Sequence, residues 1–149
     1  MDGGVYPGYL TSTGFGFSIP DGSIINGVEV SVERYQKSRQ AGGYFYDYRA
    51  CLIVGGTRND STNKVTNNYI LWAETEETKI FGGPTDLWGL NLTPADINNP
   101  GFGFDLQPRK TAYKASAFVD SIRIKVYYTP PLVIDINAPL ITLKMEQIQ

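Results

Sequence analysis

Few side chains in this sequence have a type and spacing suited to chemistry. Glu74, Glu76 and Glu77 fall close together, with Lys79 just behind. Clustered carboxylates can move protons, cleave a glycosidic bond as an acid–base pair, or hold calcium. Here they flank Thr75 at the end of an apolar run, which is the composition of a solvated strand end. Nothing in the spacing sets two acids at a working separation. The chain has no histidine. That removes Ser-His-Asp and Cys-His nucleophile systems and most zinc sites. Cys51 is the single cysteine, so no intrachain disulfide forms. It lies in the apolar run Arg49-Ala-Cys-Leu-Ile-Val54, where a buried, inert thiol is expected. No catalytic residue, metal ligand or cofactor is assigned, and the chain is read as non-enzymatic.

Aromatic residues offer a second kind of chemistry. They make up 13% of the 149 residues, and ten of them are Tyr. Tyr44, Tyr46 and Tyr48 alternate along one stretch. Such a ladder is either a stacking platform for a sugar or the wet margin of a core face. Trp88 sits in the least periodic part of the chain, Ile80 to Asn98, among Leu87, Leu90 and Leu92. It is read as the anchor of a loop folded across the open end of a β core, with ligand stacking as the alternative. Within that loop Gly82-Gly83-Pro84 ends a strand. Thr93 is a helix N-cap, Pro94 the first helical position and Asp96 the acid of a capping box. Asn98-Asn99-Pro100-Gly101 limits the helix to about one turn.

These residues must be held by a β domain. The length suits one domain with a real core. Abundant Gly, β-branched and aromatic residues with frequent turn signals predict an all-β chain. Net charge is −2, which argues against a nucleic-acid or anionic-membrane partner. No leader-like segment opens the sequence, and no apolar run is long enough to span a membrane. Asn59-Asp-Ser61 and Asn91-Leu-Thr93 match the glycosylation acceptor pattern by chance.

Alternation predicts strands over Tyr9 to Ile19, with Phe15, Phe17 and Ile19 on one face, and over Val28 to Arg34, with Val28, Val30 and Val32 inward. Further strands are expected at Tyr44 to Val54, with Tyr44, Tyr46, Tyr48, Ala50, Leu52 and Val54 inward. Others are Tyr69 to Thr75, buried on both faces, and Phe102 to Leu106. The last is Ala115 to Tyr128, with Ile122, Ile124 and Val126 inward. Thr57 to Asn68 and Gln107 to Lys114 read as polar connections. About seven strands with intervening turns predict a single jelly-roll-like β-sandwich over residues 9–129, with one short helical turn, after an extension at 1–8.

Residues 130–149 form an extended C-terminal arm. Pro130-Pro131 makes a stiff exit, and Leu132, Ile134, Ile136, Leu140, Ile141, Leu143 and Met145 follow in a segment almost without charge. Pro139 permits only an edge or added strand. Left bare, such a segment aggregates, so it must be covered by its own domain, a neighbouring subunit or a larger assembly.

Three stretches together resemble a known family. They are Phe15 to Arg34; Phe81-Gly-Gly-Pro-Thr-Asp-Leu-Trp-Gly with Thr93 to Asn98 and Phe102-Gly-Phe104; and Val119 to Tyr128. Their order resembles a β-sandwich domain recurring in virion structural proteins of tailed bacteriophages. The pairing of a compact domain with an extended arm is most similar to capsid decoration, or cement, proteins. The resemblance implies a capsid-surface protein made in the host bacterial cytoplasm. Its expected partners are the major capsid protein and further copies of itself, preferably as a trimer. The arm residues named above would form the interface. It implies no catalytic residue. The alternative is a receptor- or glycan-binding module of a tail or head fibre using exposed Tyr44, Tyr46 and Trp88, with calcium on loop Asp or Asn oxygens.

Overall fold

The structure, a computed structural model, describes residues 8–38, 43–66, 70–111, 114–134, 137 and 147–148. Strands β1 (Leu10–Thr13), β2 (Ile24–Ser38), β3 (Phe45–Val54), β4 (Thr57–Arg58), β5 (Glu77–Gly82), β6 (Gly103–Lys110), β7 (Ala115–Thr129) and β8 (Gln147–Ile148) are joined by one helical turn, α1 (Pro94–Asn98), and a 3-10 turn at Asp60–Thr62. They form two four-stranded antiparallel sheets, ordered β1-β6-β3-β4 and β5-β2-β7-β8. The protein is an all-β sandwich in which the two sheets share one apolar core.

The core follows the period-two pattern of β2 and β7. Val28, Val30 and Val32 lie opposite Val126, Ile124 and Ile122 in register, so each pair points to the same face. The three valines are fully buried, and Phe104, Leu106, Leu52 and Ala50 meet them from the other sheet. Thr93 caps α1 as expected. Its hydroxyl accepts from Asp96 N, and the Asp96 carboxylate accepts from Thr93 N at 2.9 Å. Asn98 then pins the β1–β2 connection, accepting from Ile19 N at 2.7 Å and donating to Ile19 O at 2.8 Å.

Four expectations are corrected. The first strand stops at Thr13, because Gly14 and Gly16 adopt positive φ and break the pleat. Phe17 still packs edge-on against Phe102, 6.0 Å between centroids. Over residues 70–75 there is no strand, only a single bridge from Leu71 to Tyr46. That segment crosses between the sheets: Trp72 N donates to Phe45 O of β3 at 2.8 Å, and Ala73 O accepts from Gln36 N of β2 at 2.9 Å. Trp72 is buried while Ile70 and Leu71 are exposed. The expected connection after Leu106 is instead the second half of β6, with Gln107 and Arg109 buried. The tyrosine ladder faces outward. Phe45 and Asp47 are the buried residues at that end of β3, and a register shift between Asp47 and Arg49 restores Ala50 and Leu52 to the core.

Candidate functional site

Trp88 was expected either to anchor a loop or to present a stacking surface. It is 2% exposed, so the exposed role is corrected. Its indole N–H donates to Val28 O at 2.8 Å, and its ring meets Phe104 edge-on at 6.2 Å. Its backbone is left-handed, with φ 58°, a conformation that costs a side-chain-bearing residue about 1–2 kcal/mol. Asp86 holds it there, accepting from Trp88 N at 2.8 Å, while Lys64 donates to Asp86 at 2.9 Å. Burial alone would raise the Asp86 carboxyl. The Lys64 and Trp88 hydrogen bonds outweigh it, and the group sits below the ordinary carboxylate range. Gly82 lies beneath the indole: a Cβ there would meet Val28 O at 2.2 Å and Trp88 Nε1 at 2.6 Å. The loop is closed by shape as well as by hydrogen bonds.

Tyr44 and Tyr46 lie on the solvent side of β3, where Tyr44 is exposed and Tyr46 half-buried. They do not meet Trp88, which belongs to the core. Arginines surround the aromatic face instead. The Arg109 guanidinium lies 4.5 Å from the Tyr48 ring centroid, Arg49 lies 5.5 Å from it, and Arg58 lies 4.1 Å from the Tyr9 ring. Asp60 accepts from Arg58 at 2.8 Å and Arg49 at 3.2 Å, and the Arg58 hydrogen bond holds its carboxyl below the usual range. Beneath this face Cys51 is fully buried, and burial pushes its thiol up to about 11. It is protonated at neutral pH and is no nucleophile.

The acids near Thr75 diverge. Glu74 and Glu76 are exposed, whereas Glu77 turns to Arg34 at 3.2 Å. Arg34 belongs to a buried ionic latch that joins the sheets. Its guanidinium pairs with Asp47 on the opposite sheet and lies 4.6 Å from the Trp72 ring centroid. Trp72 Nε1 donates to the same carboxylate at 3.0 Å. Next to it, Gln36 accepts from Phe45 N at 2.5 Å. Sequence reasoning missed Arg34, Gln36 and Asp47. The signal was parity: Arg34 and Gln36 continue the inward series of Val28, Val30 and Val32.

The segment expected to be an extended arm is bare where it leaves the sandwich, but its end, Gln147–Ile148, returns to the chain's own β7. Leu132, Val133 and Ile134 are 57%, 73% and 63% exposed. Ile136, Leu140, Ile141, Leu143 and Met145 lie outside the described residues. Beyond them β8 pairs with β7, Gln147 opposite Tyr127 and Ile148 opposite Val126. Among the described residues no helix is long and apolar enough to cross a membrane.

No protein-family model, no curated protein and no solved structure matches this chain.

Proposed function

We propose that this chain is a non-enzymatic virion structural protein of a tailed bacteriophage. It would decorate and stabilise the capsid, with a jelly-roll-like sandwich on the surface and the C-terminal arm bridging to neighbouring copies or to the major capsid protein. The observation that carries this reading is the uncovered Leu132-Val133-Ile134 run leaving a sandwich whose sheets are locked by a buried ion pair. A rigid body with one adhesive apolar extension suits lattice bridging. At roughly 25 cal/mol per Å² of apolar area removed from water, even a short arm contributes several kcal/mol to a contact. A homotrimer fits the three-fold positions of a capsid and hides strand edges by closed symmetry.

Copy number in purified particles, measured by quantitative mass spectrometry against the major capsid protein, tests the reading. A ratio near one, or a simple fraction of one, is expected, and capsid binding should be lost when the chain is cut after Pro131 and the sandwich remains folded. Absence from particles refutes it.

A second reading, a receptor- or glycan-binding module of a fibre, is favoured by the solvent-side Tyr44 and Tyr46, with the half-exposed Arg49 beside Tyr48. Amphipathic rings beside guanidinium groups suit acidic sugars. A handful of copies per particle, with glycan binding lost in Tyr44→Ala, would support it. Trp88 has no part in this reading.

A further inference from the structure

The two sheets do not close on each other along one side. Between them lies a cleft of about 550 Å³, lined by Leu10, Phe45, Trp72 and Leu106 from one side and by Ala117 and Val119 of β7 from the other. Where β7 borders it, the inward residues Ala115, Ala117 and Val119 are only half-buried, although Ile124 and Val126 farther along the same face are fully buried. Two of the three are alanines, so the wall is recessed. The backbone there is open too. β7 pairs with β2 on one side, but on the other β8 covers only Val126 and Tyr127. From Ala115 to Lys125 the outer edge has no partner strand among the described residues. An apolar recess beside an unpaired strand edge is the setting in which an added strand gains both main-chain hydrogen bonds and side-chain burial.

We infer that this cleft and the adjoining edge of β7 receive the C-terminal arm of a second copy of this chain. The inference rests on the arm reading above and names what the arm docks into. Three observations favour this occupant. Leu132, Val133 and Ile134 are the most exposed run of large apolar residues described, and Ile136, Leu140, Ile141, Leu143 and Met145 follow them, interspersed with Asp135, Asn137, Thr142 and Lys144. The tail is competent for this edge, because β8 already pairs with it antiparallel. The lengths agree: Ala115 to Lys125 spans about 34 Å at about 3.4 Å per residue, close to the reach of residues 132–143 when extended. A proline is compatible with an added edge strand, where an N–H can face solvent. Residues 132–143 cannot lie extended along a second copy's edge while Gln147 and Ile148 stay opposite Tyr127 and Val126 of their own chain, so docking releases β8 from its own edge.

The test is complementation between full-length variants, read as mass by light scattering over a concentration series. Ala117→Lys puts a charge in the recess and keeps the arm. Ile134→Asp with Ile141→Asp spoils the arm and keeps the recess. The unsubstituted chain is expected to associate to at least twice the monomer mass, each variant to be monomeric, and their mixture to recover a two-chain species. A cooperative melt establishes that Ala117→Lys is folded; if it is not, Ala115→Lys at the same rim replaces it. In the unsubstituted chain, amides of residues 115–125 should exchange more slowly as concentration rises. Three results overturn the inference: a monomeric unsubstituted chain at its highest soluble concentration, an Ala117→Lys chain that still associates, or exchange that does not change with concentration. Failure of this inference is separable from failure of the decoration reading. Association in solution by a chain absent from particles leaves the exchange standing, whereas capsid binding undiminished by Ala117→Lys leaves decoration standing.

Discussion

Loss of the Arg34 guanidinium would strand a buried carboxylate. The Arg34 side chain is 1% exposed and Asp47 is 7% exposed, so neither charge can turn to water. In Arg34→Met, Asp47 keeps the Trp72 Nε1 donor at 3.0 Å and loses its Arg34 counter-ion. Breaking one side of a buried pair costs about 3–5 kcal/mol. At about 2–4 °C per kcal/mol for a domain of this size, the melting temperature falls by roughly 6–20 °C. Glu77, the second acid on Arg34, is 36% exposed. It rehydrates, so Glu77→Gln costs under about 1 kcal/mol. In the double variant Arg34→Met/Asp47→Leu the stranded charge is gone and only the Trp72 N–H lacks a partner, a penalty of about 1–3 kcal/mol. The double variant should therefore be more stable than Arg34→Met alone. Urea unfolding followed by tryptophan fluorescence measures all three, since both Trp72 and Trp88 are buried. An Arg34→Met cost below about 1 kcal/mol, or a double variant less stable than the single, would refute the reasoning.

Gly82→Ala should destabilise by more than about 2 kcal/mol, because φ is 74° and its Cβ would collide with Val28 O and the Trp88 indole. Gly14→Ala, also at φ 74° but in open space, should cost only about 1–2 kcal/mol in the same urea titration, and equal costs would remove steric closure from the account. The depressed Asp86 carboxyl contributes stability that is present above its unfolded value of about 3.9 and lost as pH falls through the lower folded value. Asp86→Asn should flatten the acid limb of the stability curve below about pH 4, and an unchanged limb would exclude Asp86.

The strands that carry the core were legible because burial on one face imposes period two. Val28, Val30 and Val32 on β2 and Ile122, Ile124 and Val126 on β7 read correctly for that reason. The helix start at Thr93-Pro94 was legible because capping chemistry is local. Misreadings occurred where the deciding interaction lies far away in sequence. The ladder Tyr44, Tyr46, Tyr48 keeps perfect alternation with Ala50, Leu52 and Val54, yet the shift near Tyr48 inverts its first half. The acid that holds the inward face at that point, Asp47, does so through Arg34 and Trp72. A polar residue at a core position was read as an outward one because its partners were not visible to a local pattern.

The arm shows the same limit from the other direction. Its composition announced that something must cover it, since an apolar run behind a double proline has no use for solvent. Composition could not say where it goes, because a receiving surface is assembled from residues that share no local pattern. The cleft takes one wall from Leu10, Phe45, Trp72 and Leu106, spread over most of the chain, and the other from two alanines and a valine on β7. Ala115 and Ala117 read as nothing in particular in a strand. They become informative only beside an uncovered edge, where their small size leaves the wall recessed. Donor segments are written locally and can be read from sequence, whereas acceptor sites are made by the fold. For this protein, substitutions in the arm and in the recess should therefore weaken the same contact from opposite sides.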